Sequence, residues 1–141
     1  MGLRFQLQEK LILAMREEGQ HIMNQIDLRD RVAIITGGAR GIGYAAAERM
    51  LKSGAKLIIW DIDTDACKKA VESLGALGPV SYDCVELTSE TAIAEATAAV
   101  IARHGTIDIL VNNAGITGGN APLWELEPEV WRRVIEVNLV A

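Results

Sequence analysis

Disulfides cannot organise this chain, because two cysteines in 141 residues are too few for a framework. Cys67 and Cys84 also lack the close spacing of metal ligands, so no metal site is expected. They read as free thiols of a reducing compartment, with Cys84 as a small buried filler, and a cytoplasmic location is the expectation. No apolar run approaches the ~20 residues needed to span a bilayer, which argues against a membrane reading. Basic residues are nowhere clustered, and a net charge of −5 does not supply the positive surface that displaces counterions from nucleic-acid phosphates. Histidine is scarce: His21 and His104 stand at neither catalytic nor metal spacing, and His104, just before Gly105, reads as a helix-end residue favoured by the dipole. What is present is a chain 50% hydrophobic, long enough for one soluble globular domain with a real core.

Residues 1–22 differ in pattern from the rest of the chain. Leu7, Leu11 and Met15 recur one helical turn apart, with Glu9, Lys10, Arg16, Glu17 and Glu18 around them, the pattern of an amphipathic helix. The stretch has no continuous apolar core ahead of a small-residue cleavage site, and it is rich in acid, so neither a signal peptide nor a transit peptide fits. It reads as an N-terminal extension, either an accessory helix or upstream read-in, ahead of a domain over 23–141.

From Arg31 onward apolar runs alternate with helical patterns, which predicts a parallel sheet with helices on both faces. Strands are expected over 32–36, 56–61, 80–83 and 107–112, each short and apolar enough to be buried on both sides. Helices are expected over 42–53, 64–74 and 90–104. Gly54, Gly75 and Gly105 stand where helix C-termini favour a residue tolerant of positive φ, and Ser89 is placed to cap the third helix. A last helix begins at Glu127-Pro128-Glu129, with proline in the first turn and acids facing the dipole.

The first strand runs into Thr36-Gly37-Gly38-Ala39-Arg40-Gly41-Ile42-Gly43, and a helix comes next. A turn that carries a pyrophosphate from strand end to helix start needs glycine for a tight bend, close backbone approach and close helix packing. The free N–H groups of the first helical turn then face the anion. Asp61 ends the second strand, where a carboxylate accepts hydrogen bonds from the adenosine ribose hydroxyls. It would repel a 2′-phosphate, which favours NAD over NADP unless a cation compensates, and Arg40 is the candidate cation. Asp63 competes with Asp61 for capping the next helix.

The Thr-Gly-x-x-x-Gly-x-Gly spacing resembles that of the short-chain dehydrogenase/reductase family. A second motif at the end of the fourth strand, Asn112-Asn113-Ala114-Gly115, carries the same resemblance independently. It implies a Rossmann-like doubly wound fold and places Gly37, Ala39, Arg40, Gly41, Ile42, Gly43, Asp61 and Ile62 at the cofactor, together with Asn112 to Gly115. It also implies that Glu86-Leu87 contact the adenine, although the family usually has Asp-Val or Asn-Val there; Asp83 is the alternative. The two asparagines can equally brace neighbouring loops. In the last helix Trp131, Val134, Ile135, Asn138 and Leu139 share one face, and Asn138 is its one polar member. A buried amide without partners costs about 1–3 kcal/mol, and the resemblance gives Asn138 a place in the catalytic tetrad, holding a water. Trp124 and Trp131 read as packing or interface residues rather than substrate stackers.

Resemblance starts near Met23, the expected natural start, and covers only the first part of a family member. The tetrad's serine, tyrosine and lysine are not matched, since neither Tyr44 nor Tyr82 begins a Tyr-x-x-x-Lys. The resemblance therefore implies an oxidoreductase that interconverts an alcohol and a ketone, oligomeric at full length, of which this chain is an N-terminal part inactive alone. Residues 118–124 are similar to members acting on sugar acids or 3-oxoacyl groups. An unpaired apolar edge at 107–111 would favour self-association, which size-exclusion chromatography would reveal. The alternative is a non-catalytic dinucleotide-binding module. A sister branch of epimerases and dehydratases fits less well, because its loop glycines are spaced differently.

Overall fold

The computed structural model describes residues 26–140, so the expectations for 1–22 and for Met23 lie outside the described residues. Within them β1 (Val32–Thr36), α1 (Gly41–Lys52), β2 (Lys56–Asp61), α2 (Thr64–Leu74), β3 (Val80–Cys84), α3 (Glu90–His104) and β4 (Ile109–Val111) alternate as expected. A short 3-10 turn over Leu123–Glu125 precedes α4 (Pro128–Ile135), which runs on as a π turn over Glu136–Val140.

All strands are parallel and lie in the order β3-β2-β1-β4. The chain steps outward from β1 to β3 and then crosses back to the other side of β1. That reversal opens a crevice at the carboxyl ends of β1 and β4, where ligands bind in doubly wound sheets. Register pairs Ile35 with Val111, Thr36 with Trp60 and Asp61 with Cys84, so the ends of β1, β2 and β3 are aligned.

Period-two alternation divides the core. Ala33, Ile35, Leu57 and Ile59 face α1 and α2, where they meet Ala47, Leu51, Cys67, Ala70 and Leu74. Val32, Ile34, Ile58 and Trp60 face the other way, onto Val85 and Val100. Each fully buried isoleucine or leucine contributes about 1.5–3 kcal/mol over its exposed state, which is why β1 and β2 can be apolar on both faces.

Local differences from the expected pattern have physical causes. The ladder of β4 covers three residues rather than six. Before it, the Asp108 carboxylate leaves the strand pattern to accept the Val32 N–H at 2.8 Å and to pair with Arg31. After it, the Asn113 N–H turns to the Thr36 hydroxyl. Gly54 and Gly105 have φ of +94° and +81°, but Gly75 stays right-handed at −59°, and the chain makes a further turn with the Leu77 N–H on the Leu74 carbonyl. Ser89 caps α3 through the Ala92 N–H. Cys84 is not the buried filler expected: at the end of β3, on the sheet's edge, it is exposed, whereas Cys67 is buried inside the first core.

No residue of α4 or its π turn is buried. Asn138 is therefore not the buried amide expected, and Trp131 and Leu139 stand open on the same helix. On the far edge of the sheet Leu110 of β4 is 54% exposed, an open apolar edge among the described residues.

Candidate functional site

The crevice is built around Thr36. Buried at the end of β1, its Oγ1 accepts the N–H groups of Asn113 at 2.9 Å and Ala114 at 3.0 Å and donates to the Val111 carbonyl at 3.3 Å. Asn113 returns the tie, its Nδ2 donating to the carbonyls of Thr36 at 2.9 Å and Gly37 at 3.2 Å. The Gly37 N–H reaches the Trp60 carbonyl at 2.8 Å. These bonds stitch the loops after β1 and β4 and the end of β2 into one rim, and the bracing role of Asn113 is an observed one.

Glycine is required here by geometry. Gly37 has φ +62°, and a Cβ on it would lie 2.9 Å from the Cα of Ala114. Gly41, at φ +55°, opens α1 with nothing within 4 Å of where a side chain would begin. The N-cap residue Arg40 makes no side-chain cap, so the first-turn N–H groups have no side-chain acceptor. A left-handed glycine, open space above it and uncapped amides form a cradle that fits a phosphate.

From this cradle a cleft of about 660 Å³ runs along the ends of the strands. Of the residues expected at the cofactor, Gly37, Arg40, Gly41, Ile42, Asp61, Ile62, Glu86, Leu87, Asn113, Ala114 and Gly115 line it. Three do not. Ala39 packs into the core on α2, Gly43 lies beneath the rim against Asn113, and Asn112 is exposed outside the cleft. Asn138 is not in the lining either, but it sits against Gly115 and bonds both backbone groups of Ile116, accepting its N–H at 2.8 Å and donating to its carbonyl at 3.0 Å.

Electrostatically the cleft holds three carboxylates and two guanidiniums. Asp63 is the cap: its Oδ1 accepts the Ala66 N–H at 2.9 Å, while Oδ2 pairs with Arg40. Hydrogen bonding from Ala66 first, and then the Arg40 charge, holds the Asp63 carboxyl below the usual range. Asp61 accepts the Asp63 N–H at 3.1 Å and has no cationic partner among the described residues. Glu86 is half-exposed, yet both of its oxygens have partners. One oxygen accepts the Thr88 N–H and hydroxyl at 3.1 and 2.9 Å, and the other accepts Arg133 at 2.9 Å. The Thr88 bonds are the main cause of its lowered pKa, with Arg133 adding to them. Asp83, the alternative, is held by both arms of Arg103 at 2.9 and 2.6 Å and lies outside the cleft.

Trp60, Asp63, Val85, Ile116, Arg133 and Val137 also line the cleft, and the sequence pattern did not assign them to it. Trp60 and Val85 adjoin Asp61 and Glu86 in sequence, a signal that could have found them. Nothing local pairs Arg133 with a carboxylate 47 residues away. Neither tyrosine enters the cleft; the Tyr44 hydroxyl donates to Ser73 Oγ at 2.8 Å, and Tyr82 packs on the first core. Among the described residues no carboxylate, thiol and imidazole groups gather into a metal site, and no helix is long and apolar enough to cross a membrane.

A cradle at the β1–α1 turn, a carboxylate at the end of β2 and a strand-order reversal define a dinucleotide-binding Rossmann domain. The sequence model described as short chain dehydrogenase matches residues 31–141, and the chain belongs to that family. It is 37% identical over 109 residues to a 2-dehydro-3-deoxy-L-rhamnonate dehydrogenase (NAD(+)) of a Sphingomonas species, covering 77% of this chain and 43% of that one. It is 37% identical over 119 residues to the 3-oxoacyl-[acyl-carrier-protein] reductase FabG of Chlamydia muridarum, covering 83% and 47%. Among solved structures it is similar to the Pseudomonas aeruginosa RhlG/NADP active-site complex, with a TM-score of 0.76, 33% identity, and 84% and 46% of the two chains covered. The chain thus spans about half the length of these relatives.

Proposed function

We propose that this chain forms the NAD-binding part of an oxidoreductase that interconverts an alcohol and a ketone. When bound, the nicotinamide supplies or accepts the hydride. The chain's own residues bind and orient it. Gly37, Gly41, Ile42 and the backbone of Arg40 hold the pyrophosphate, Asp61 and Ile62 the adenosine ribose, and Glu86 and Leu87 wall the adenine. Asn113, Ala114 and Gly115 admit the cofactor along the end of β4.

The observation that carries the preference for NAD is the division of charge at the mouth of the cleft. Arg40, the cation that could accept a 2′-phosphate, is paired with Asp63, while Asp61 faces the site without a cation. A 2′-phosphate there would meet a carboxylate of like charge. Relatives are of both kinds, one named for NAD(+) and one solved with NADP, so the preference rests on these residues.

Substrates in the sugar-acid or 3-oxoacyl class are suggested by the named relatives. We assign Asn138 a positioning role in catalysis, and homo-oligomerisation of the full-length enzyme agrees with the exposed face of Trp131 and Leu139. With no tyrosine at the cleft among the described residues, the chain alone serves as a binding module without hydride transfer. Calorimetric titration with NAD and NADP side by side is the test. Saturable binding of NAD with weaker binding of NADP is expected; equal or reversed affinities would overturn the preference, and binding of neither would overturn the cofactor reading.

A further inference from the structure

Two side chains of the last helix, Arg133 and Asn138, hydrogen-bond to other parts of the described chain. Arg133 reaches the loop after β3, where Nη1 donates to Thr88 Oγ1 at 3.0 Å and Nη2 to Glu86 Oε2 at 2.9 Å. Asn138 reaches the loop after β4 and bonds both backbone groups of Ile116. Between these anchors Val137 joins Arg133 in lining the cleft. No residue of the helix is fully buried; Val130 and Val134 pack on Gly118, and the polar ties of Arg133 and Asn138 fix its seat beside that contact. The grip on Glu86 is also directional. Thr88 occupies the other carboxylate oxygen, so Glu86 has one oxygen turned to the helix; on the helix itself the nearest competitor for Arg133 is Glu136, at 3.7 Å.

We propose that Arg133 is a positioning residue: by gripping Glu86 and Thr88 it ties the adenine-side wall of the cleft to the helix that carries Asn138, so that cofactor binding and the seating of Asn138 on Ile116 are linked. This rests on the cofactor assignment proposed for the cleft. In this arrangement Glu86 acts through Arg133 and Thr88, which explains how a glutamate serves where the family usually has a shorter residue. A cofactor that orders the Glu86 wall also holds Arg133, and Arg133 holds the helix five residues before Asn138.

The Ile116 N–H is the reporter, because its acceptor is the Asn138 side chain. Hydrogen exchange at Ile116 is measured in the unaltered 141-residue chain, R133M, R133K, E86Q, E86Q/R133M and N138A, with and without NAD, alongside calorimetric NAD affinities. An ion pair this exposed is worth up to about 1 kcal/mol, or about fivefold. R133M is expected to speed Ile116 exchange by up to about that factor, towards the N138A value, and to weaken NAD by a similar factor. The double variant is expected to be no worse than R133M, since both changes break one tie. R133K should rescue in part, because lysine restores the charge but not the two-armed contact. Added salt should shrink the differences, and NAD should slow Ile116 exchange in the unaltered chain but less so in R133M.

Each failure has a distinct meaning. If the unaltered chain binds neither NAD nor NADP, the cofactor reading falls and the linkage with it. If it binds NAD while R133M keeps the same affinity and the same Ile116 exchange, the latch alone is overturned. Additive effects in the double variant would overturn the claim that Arg133 acts through Glu86.

Discussion

The side-chain amide of Asn113 stands where a methyl group on Gly43 would have to go, with only 2.5 Å between Nδ2 and the ideal Cβ position. The Gly37 carbonyl oxygen is equally close to that position. Gly43 therefore lets α1 approach the rim closely, and Asn113 fills the space with two hydrogen bonds to the β1–α1 turn. Overpacking of this kind costs about 1–3 kcal/mol, so Gly43→Ala should lose about that much stability in denaturant titration. Deleting the amide in G43A/N113A should not restore it, because the carbonyl cannot be trimmed. Full recovery in the double variant would show that Asn113 alone sets the limit.

Cofactor choice can be tested at two carboxylates with different duties. Asp63→Asn retains a side chain that caps α2 as well as aspartate does, yet removes the charge that holds Arg40. NADP affinity should rise while the melting temperature barely moves. Asp63→Ala removes the cap as well and should cost about 0.5–2 kcal/mol. Asp61→Asn should weaken NAD and narrow the gap to NADP, since the like-charge barrier to a 2′-phosphate is gone. NADP binding indifferent to both substitutions would sink the electrostatic account.

Four described carboxyls lie below their ordinary values and bear on acid stability; Asp27 is one, held at about 2 by the Arg29 guanidinium and N–H. Hydrogen bonds from Ala66, from Thr88 and from the Val32 N–H hold Asp63, Glu86 and Asp108 below their ordinary values of 3.8, 4.5 and 3.8. A group whose folded pKa is depressed stabilises the fold above its unfolded pKa and loses that contribution as pH falls through the folded value. Stability should thus be level above about pH 5 and decline below the ordinary carboxylate range. In D108N the slope of unfolding free energy against pH below 4 should be shallower. An unchanged slope would remove Asp108 from the set.

Thiol reactivity should separate the cysteines. Burial pushes the Cys67 thiol up to about 11, and the nearby Asp61 charge adds to the shift. Cys84 is exposed, its thiol resting on the Ile62 carbonyl at 3.6 Å. A maleimide or disulfide reagent should modify one thiol quickly, lost in C84S, and the second only on unfolding. Fast labelling of Cys67 in the folded chain would mean that the first core opens readily.

Much of this molecule is determined by sequence alone. Runs such as Val32 to Ile35 and Leu57 to Trp60 are buried on both faces because nothing polar interrupts them. The Gly37-to-Gly43 spacing marks where the β1–α1 turn bends, since glycine takes the +62° and +55° backbone angles found there at no steric cost. Caps at Asp63 and Ser89 were equally legible, being local hydrogen bonds within three residues. Tertiary structure decided what depends on side chains distant in sequence. It moved Ala39 and Gly43 out of the cleft, exposed Cys84 and Asn138, and joined Arg133 to Glu86 across 47 positions. Local pattern reports which face of a strand or helix is apolar, whereas the partner of a long polar side chain is set by loop paths and by charge paired elsewhere, as Asp63 pairs Arg40 and leaves Asp61 facing the cleft alone.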